Sequence, residues 1–141
     1  ATLQTSPDMG SHSNKLRSAA LGLTVLLVAG CITSGITNLT PTQIPRNTTG
    51  IYRIEMIWES NQQALRPETI QPVVQVTGHN ATYPMKRTQL LTNRWETLVG
   101  PLRPEETNLF YRIKVNWKYN AIPVPRGDSQ MDGPFRLRIV D

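Results

Sequence analysis

The sequence predicts an all-β fold: a seven-strand antiparallel sandwich of two sheets, preceded by one N-terminal hydrophobic helix. Three observations predict it. Past residue 50 the apolar residues recur with period two, the repeat of a strand that buries one face. Gly, Pro, Asn and Asp separate these runs at short intervals. The one stretch long and apolar enough for a hydrophobic helix, Ala19–Ala29, lies far forward, behind Lys15 and Arg17 and just ahead of Cys31.

Residues 1–14 are polar, hold Pro and Gly, and show no apolar period, so a disordered extension is expected there, with His12 solvated. Residues 15–30 have the layout of an export signal: a positive n-region, an apolar h-region of roughly 7–15 residues, then small residues that give a peptidase access. Val28-Ala29-Gly30-Cys31 resembles the lipobox of bacterial lipoproteins, an aliphatic residue, a small one, Gly or Ala, then Cys. The resemblance implies that Cys31 carries a lipid and becomes the first residue of the mature chain. It also implies a bacterial cell envelope, the outer membrane rather than the inner, because Ile32 stands where inner-membrane retention uses Asp. The alternative is an uncleaved helix over roughly residues 18–36, since no charge falls between Arg17 and Arg46. Gly30, Thr33, Ser34 and Gly35 make its far end poorly apolar.

Residues 31–49 are read as a lipid-anchored tether and a first edge strand, Ile36–Leu39, stopped by Pro41 and Pro45. The sandwich proper is expected over residues 50–141. Ile51–Glu59 is its cleanest strand, with Tyr52, Ile54, Met56 and Trp58 on one face. Ser60–Thr69 reads as a polar connection, and Ile70–Thr77 as a strand covered on both faces. Ala81–Thr88 is interrupted by Pro84, which fits an edge or a bulge. Arg94–Val99 is short. Leu109–Tyr119 is the longest alternating run, with Leu109, Tyr111, Ile113, Val115, Trp117 and Tyr119 inward. Asn120–Pro134, with its three prolines and two glycines, reads as a loop before the closing strand Phe135–Val140.

Ile54–Glu59 resembles the second strand of fibronectin type III domains, in which Trp ends an alternating apolar strand. Leu102-Arg103-Pro104 ahead of Tyr111-Arg112-Ile113-Lys114-Val115 resembles their Leu-x-Pro turn and Tyr-containing sixth strand. The resemblance implies an immunoglobulin- or fibronectin-III-like sandwich. It implies no activity, because such sandwiches carry many functions.

The side-chain inventory argues against an enzyme. His79, the only histidine past Cys31, sits in a Gly-His-Asn turn and reads as solvated. Glu55 and Glu59 lie four residues apart on one strand face, about 13 Å, farther than glycosidase carboxylates stand. They read as surface charges paired with neighbouring Arg or Lys. Glu105, Glu106, Asp128 and Asp132 match no calcium loop, and no phosphate cradle is present, so neither a metal nor a cofactor is expected.

The chain carries a net charge of +5, and most of it lies past Cys31, where thirteen of the fifteen Lys and Arg face nine acids. Together with export this excludes nucleic acid as a partner and favours anionic surfaces. The candidate binding residues are Arg112, Lys114 and Lys118 on one strand and Arg136 and Arg138 on the next, with no acid on that face of either. Like charges side by side cost stability, so an acidic protein, an anionic glycan or a lipid is the expected partner. The plainer reading is a solubilising face that discourages edge pairing. The expected function is therefore a membrane-anchored exported lipoprotein with a non-catalytic binding or scaffolding domain. The alternative is an accessory subunit of a larger membrane complex, held by the uncleaved helix among neighbouring subunits.

Overall fold

The computed structural model describes residues 30–141. The expected extension, the hydrophobic helix and all of the signal segment before Gly30 lie outside the described residues. Cys31 is exposed, and Ile32–Asp141 forms one compact unit.

Nine strands make up that unit: β1 (Ser34–Asn38), β2 (Gln43–Pro45), β3 (Tyr52–Ser60), β4 (Leu65–Val76), β5 (Ala81–Pro84), β6 (Lys86–Arg87), β7 (Arg94–Val99), β8 (Asn108–Tyr119) and β9 (Arg126–Val140). They form a four-stranded sheet in the order β1-β3-β7-β6 and a five-stranded sheet in the order β2-β9-β8-β4-β5. Every pairing is antiparallel except β2 with β9, where Ile44 lies beside Ile139 in parallel. Taking β1, β3, β7 and β6 as strands A, B, E and D, and β9, β8 and β4 as G, F and C, this is the strand order of an immunoglobulin-like sandwich. The fold is all-β with two facing sheets.

Alternation explains the core. Tyr52, Ile54, Met56 and Trp58 of β3 are buried and face Tyr111, Ile113, Val115 and Trp117 of β8. Antibody domains join these same two strands by a disulfide. Here the sheets are joined by packing, and the Trp58 and Trp117 rings meet at 4.9 Å between centroids, tilted by 48°. Asn38 of β1 adds a polar tie, its Nδ2 donating to Tyr111 Oη at 2.8 Å. Where the chain crosses between sheets after β1, buried Thr40 accepts from Glu55 N–H at 3.0 Å through its hydroxyl. At the end of the sandwich where β3 begins, Gly50 and Gly100 bring backbones together. Both have positive φ, and a Cβ on Gly100 would stand 2.5 Å from Gly50 O.

Five features depart from the sequence-based expectation. The expected polar connection Ser60–Thr69 is half strand, because β4 begins at Leu65 and pairs Leu65 and Arg66 with Tyr119 and Lys118 ahead of a bulge. There are nine strands among the described residues, not seven. Gln43–Pro45, expected in the tether, pairs with β9 and belongs to the sandwich. The segment around Pro84 splits: β5 ends there as an edge strand, buried Met85 crosses the gap, and β6 joins the other sheet. The expected Asn120–Pro134 loop is mostly strand, because β9 begins at Arg126 and leaves only residues 120–125 to turn the hairpin. Gly133 and Pro134 mark a bulge opposite Arg112, where the β8–β9 register shifts between Tyr111 and Ile113. A Cβ on Gly133 would meet Tyr111 O at 3.0 Å, so a glycine is needed at this kink.

Candidate binding face

The outward positions of β8 are Asn108, Phe110, Arg112, Lys114, Asn116 and Lys118, since their neighbours Leu109 to Trp117 point into the core. Register sets Phe110 opposite Arg136 and Asn108 opposite Arg138, with Arg112 one step along at the bulge. Four of the five expected cations, Arg112, Lys114, Arg136 and Arg138, thus share one surface around Phe110. Lys118 lies in the same outward row at its hairpin-tip end, four residues beyond Lys114, about 13 Å, and opposite Arg66.

No acid occupies an outward position of β8 or β9. On β4 the residues opposite Arg112 and Lys114 are Gln75 and Val73. Asp128 and Asp132 stand opposite inward-facing Trp117 and Ile113, and each accepts a bond from the next backbone N–H, that of Ser129 or Gly133. Glu68 lies in the β4 bulge, 2.9 Å from Arg66. Asp141, close to Arg138 along the chain, ion-pairs with Arg46. Among the described residues, none of the five cations forms an ion pair.

Phe110 was not singled out in the sequence, although its signal is there: an alternation that sends Leu109 inward must send Phe110 outward. It is 46 % exposed, and Met131, opposite Lys114, is 47 % exposed. At the Asn108 end of the face, Asn108, Arg136, Arg138 and Asp141 rim a shallow depression of about 440 Å³. The face therefore offers guanidinium forks, which bind carboxylates in bidentate fashion, next to exposed apolar side chains.

The remaining polar candidates are engaged elsewhere. Glu55 accepts from Arg94 Nη2 at 3.1 Å, and Glu59 from Asn93 Nδ2 at 3.3 Å. His79 is not simply solvated: its Nε2 lies 2.8 Å from Glu106 Oε2, joining two surface turns. Among the described residues no group of three or more His, Cys, Asp or Glu could hold a metal ion. Burial pushes the Tyr111 phenol above its ordinary value, an effect that hydrogen bonds with Thr40 and Asn38 partly oppose. Trp58, Trp95 and Trp117 are all buried, so none offers a stacking platform for sugars. Among the described residues no helix is long and apolar enough to cross a membrane.

Sheet order and register define an immunoglobulin-like sandwich with one strongly cationic outer face. The chain matches no protein-family model and no curated protein. The solved structures similar to it at low identity include the following two. Murine CRIg is 13% identical, with 76% of this chain and 99% of that chain covered, at a TM-score of 0.42. AggA, the major subunit of aggregative adherence fimbriae type I from Escherichia coli, is 11% identical, with 80% and 98% covered, at 0.43. Neither likeness bears on what this chain binds.

Proposed function

We propose that this chain is a membrane-anchored, exported binding protein. Its sandwich recognises an acidic protein surface through Arg112, Lys114, Arg136 and Arg138, without catalysis. One observation carries this reading: uncompensated cations surround an exposed aromatic on one sheet face. Arg, Phe and Met are residue types enriched in protein interfaces, which favours a protein over a glycan or free lipid. The same apolar content supports the accessory-subunit version, in which the acidic surface belongs to a neighbouring subunit of a membrane complex.

The anchor proposed is lipidated Cys31, with the uncleaved N-terminal helix as its alternative, in a bacterial cell envelope. Intact mass of the chain extracted from its membrane separates the two. A mass beginning at Cys31 plus lipid means the lipoprotein; retention of Lys15–Gly30 without lipid means the helix. The binding face is tested by reversing Arg112, Lys114 and Arg138 to Glu together and cross-linking the chain in its native membrane. Loss of the cross-linked partner is expected. An unchanged cross-linking pattern would overturn the reading.

A further inference from the structure

The β8–β9 hairpin ends in Asn120-Ala121-Ile122-Pro123-Val124-Pro125, and its apolar side chains point at solvent: Ile122 is 95 % exposed and Val124 60 %. Exposing a run of apolar side chains at a loop tip is unfavourable in water unless something covers it. Cations flank the run. Lys118 and Arg126, both exposed, close the strands beneath it, half-buried Tyr119 stands opposite Arg126, and no acid occurs from Lys118 to Gly127. An apolar tip above an aromatic and a cationic collar suits a bilayer interface: apolar groups enter the acyl boundary, and Lys and Arg meet anionic headgroups.

Where the chain enters the sandwich identifies the occupant. β1 begins at the same end as this tip: Ser34 pairs with Ser60, and Thr33 accepts a backbone bond from Asn61 at 3.0 Å. Across the sandwich, Gln130 Nε2 donates to Ser34 O at 3.2 Å, so Ser34 and Gln130 lie at one level. From that level two pieces of chain lead outward. Cys31 precedes Ser34 by three residues, at most about 11 Å of extended chain. β8 continues from Val115, opposite Gln130, for four residues to Tyr119, about 13 Å, and the apolar loop lies beyond. A chain held to a membrane at Cys31 is therefore tethered more closely than its hairpin reaches.

We infer that residues 120–125 of the β8–β9 hairpin dock into the anionic lipid bilayer that holds the chain, as a second contact beside the anchor. The inference rests on the anchor reading above. It also gives Lys118 a role at the tip, apart from the four cations around Phe110. The docking fixes the orientation of the sandwich: the sheets stand up from the membrane, and the Phe110 face points sideways along it.

The test uses the full chain reconstituted into vesicles of phosphatidylethanolamine and phosphatidylglycerol with brominated acyl chains. Val124→Trp places a fluorophore at the tip, and Thr48→Trp places one in the exposed β2–β3 loop at the opposite end. The three buried native tryptophans provide a background common to both variants. Flotation with the vesicles reports the anchor, and quenching reports the tip. We expect both variants to float, with most of the added emission lost for Val124→Trp and none for Thr48→Trp. Adding Lys118→Glu and Arg126→Glu should restore much of that emission. Flotation without tip quenching overturns the docking and leaves the anchor standing. Blue-shifted but unquenched tip emission means that a second copy of the chain covers the tip, which also overturns it. Failure to float overturns both readings.

Discussion

The two outer faces of the sandwich share one core and one backbone geometry, yet they carry charge in opposite ways. On the four-stranded sheet Arg53, Lys86 and Arg94 mix with Glu55, Glu59 and Glu96; register sets Lys86 opposite Glu96, and Arg94 bonds Glu55 at 3.1 Å. On the five-stranded sheet the cations of β8 and β9 have no acid among them. A balanced face is complete by itself. An unbalanced face keeps a positive potential that attracts anions and repels its own kind. Solvent-facing positions are nearly free of packing demands, so the difference reflects what each face meets. On the function proposed above, the balanced face meets water and the unbalanced one an acidic surface.

The comparison depends on both faces resting on the Trp58–Trp117 contact, and removing that contact is the largest available perturbation. Trp58→Ala or Trp117→Ala should each cost about 3–5 kcal/mol. Denaturant titration should then show a lower midpoint with an unchanged slope. Both faces should fail together in one transition, because no disulfide holds β3 to β8. Two transitions would mean that the sheets are separate units and that their faces cannot be compared on a common core.

A second perturbation acts on the polar tie between the sheets. Burial holds the Tyr111 phenol above its ordinary value, so the folded chain keeps that proton at a pH where the unfolded chain has lost it. Below about pH 10, the usual phenol value, both states are protonated and the full stability is present. It falls as pH rises from there through the raised value. Tyr111→Phe should remove this alkaline slope and cost about 0.5–1.5 kcal/mol at neutral pH through the lost Asn38 bond. Stability measured against pH from 7 upward checks both parts.

How much of this was legible in the sequence differs by element. β3 and the core half of β8 follow from alternation, because their inward positions are strongly apolar and their outward ones polar. The lower half of β9 was not legible: Gly127, Gly133 and Pro134 have the composition of a loop. Only pairing with β8 reveals them as an edge of the hairpin and a bulge. β2 was hidden for another reason. Three residues ending in a proline carry no period, and the parallel place of Ile44 beside Ile139 is set by long-range contact alone. The binding face was partly legible. Residue phase gave the cations, Lys118 included, but an exposed Phe110 does not stand out in the sequence, because aromatic residues are usually core.

The smallest effect sharpens the comparison most. On the balanced face, Arg94→Ala removes the partner of half-buried Glu55 and should lower stability by up to about 1 kcal/mol, the range of a surface ion pair. On the unbalanced face, Arg112→Ala removes no pair and relieves repulsion from Arg136 beside it, so stability should hold or rise by a few tenths of a kcal/mol. Added salt should separate them further. Screening weakens the Arg94–Glu55 attraction and the Arg112–Arg136 repulsion alike, so the two variants should converge on wild type from opposite sides. Urea midpoints at low and high salt provide the measurement. If Arg112→Ala instead destabilises as Arg94→Ala does, the cations of the five-stranded sheet are part of the fold's own support, and the argument that they await a partner fails.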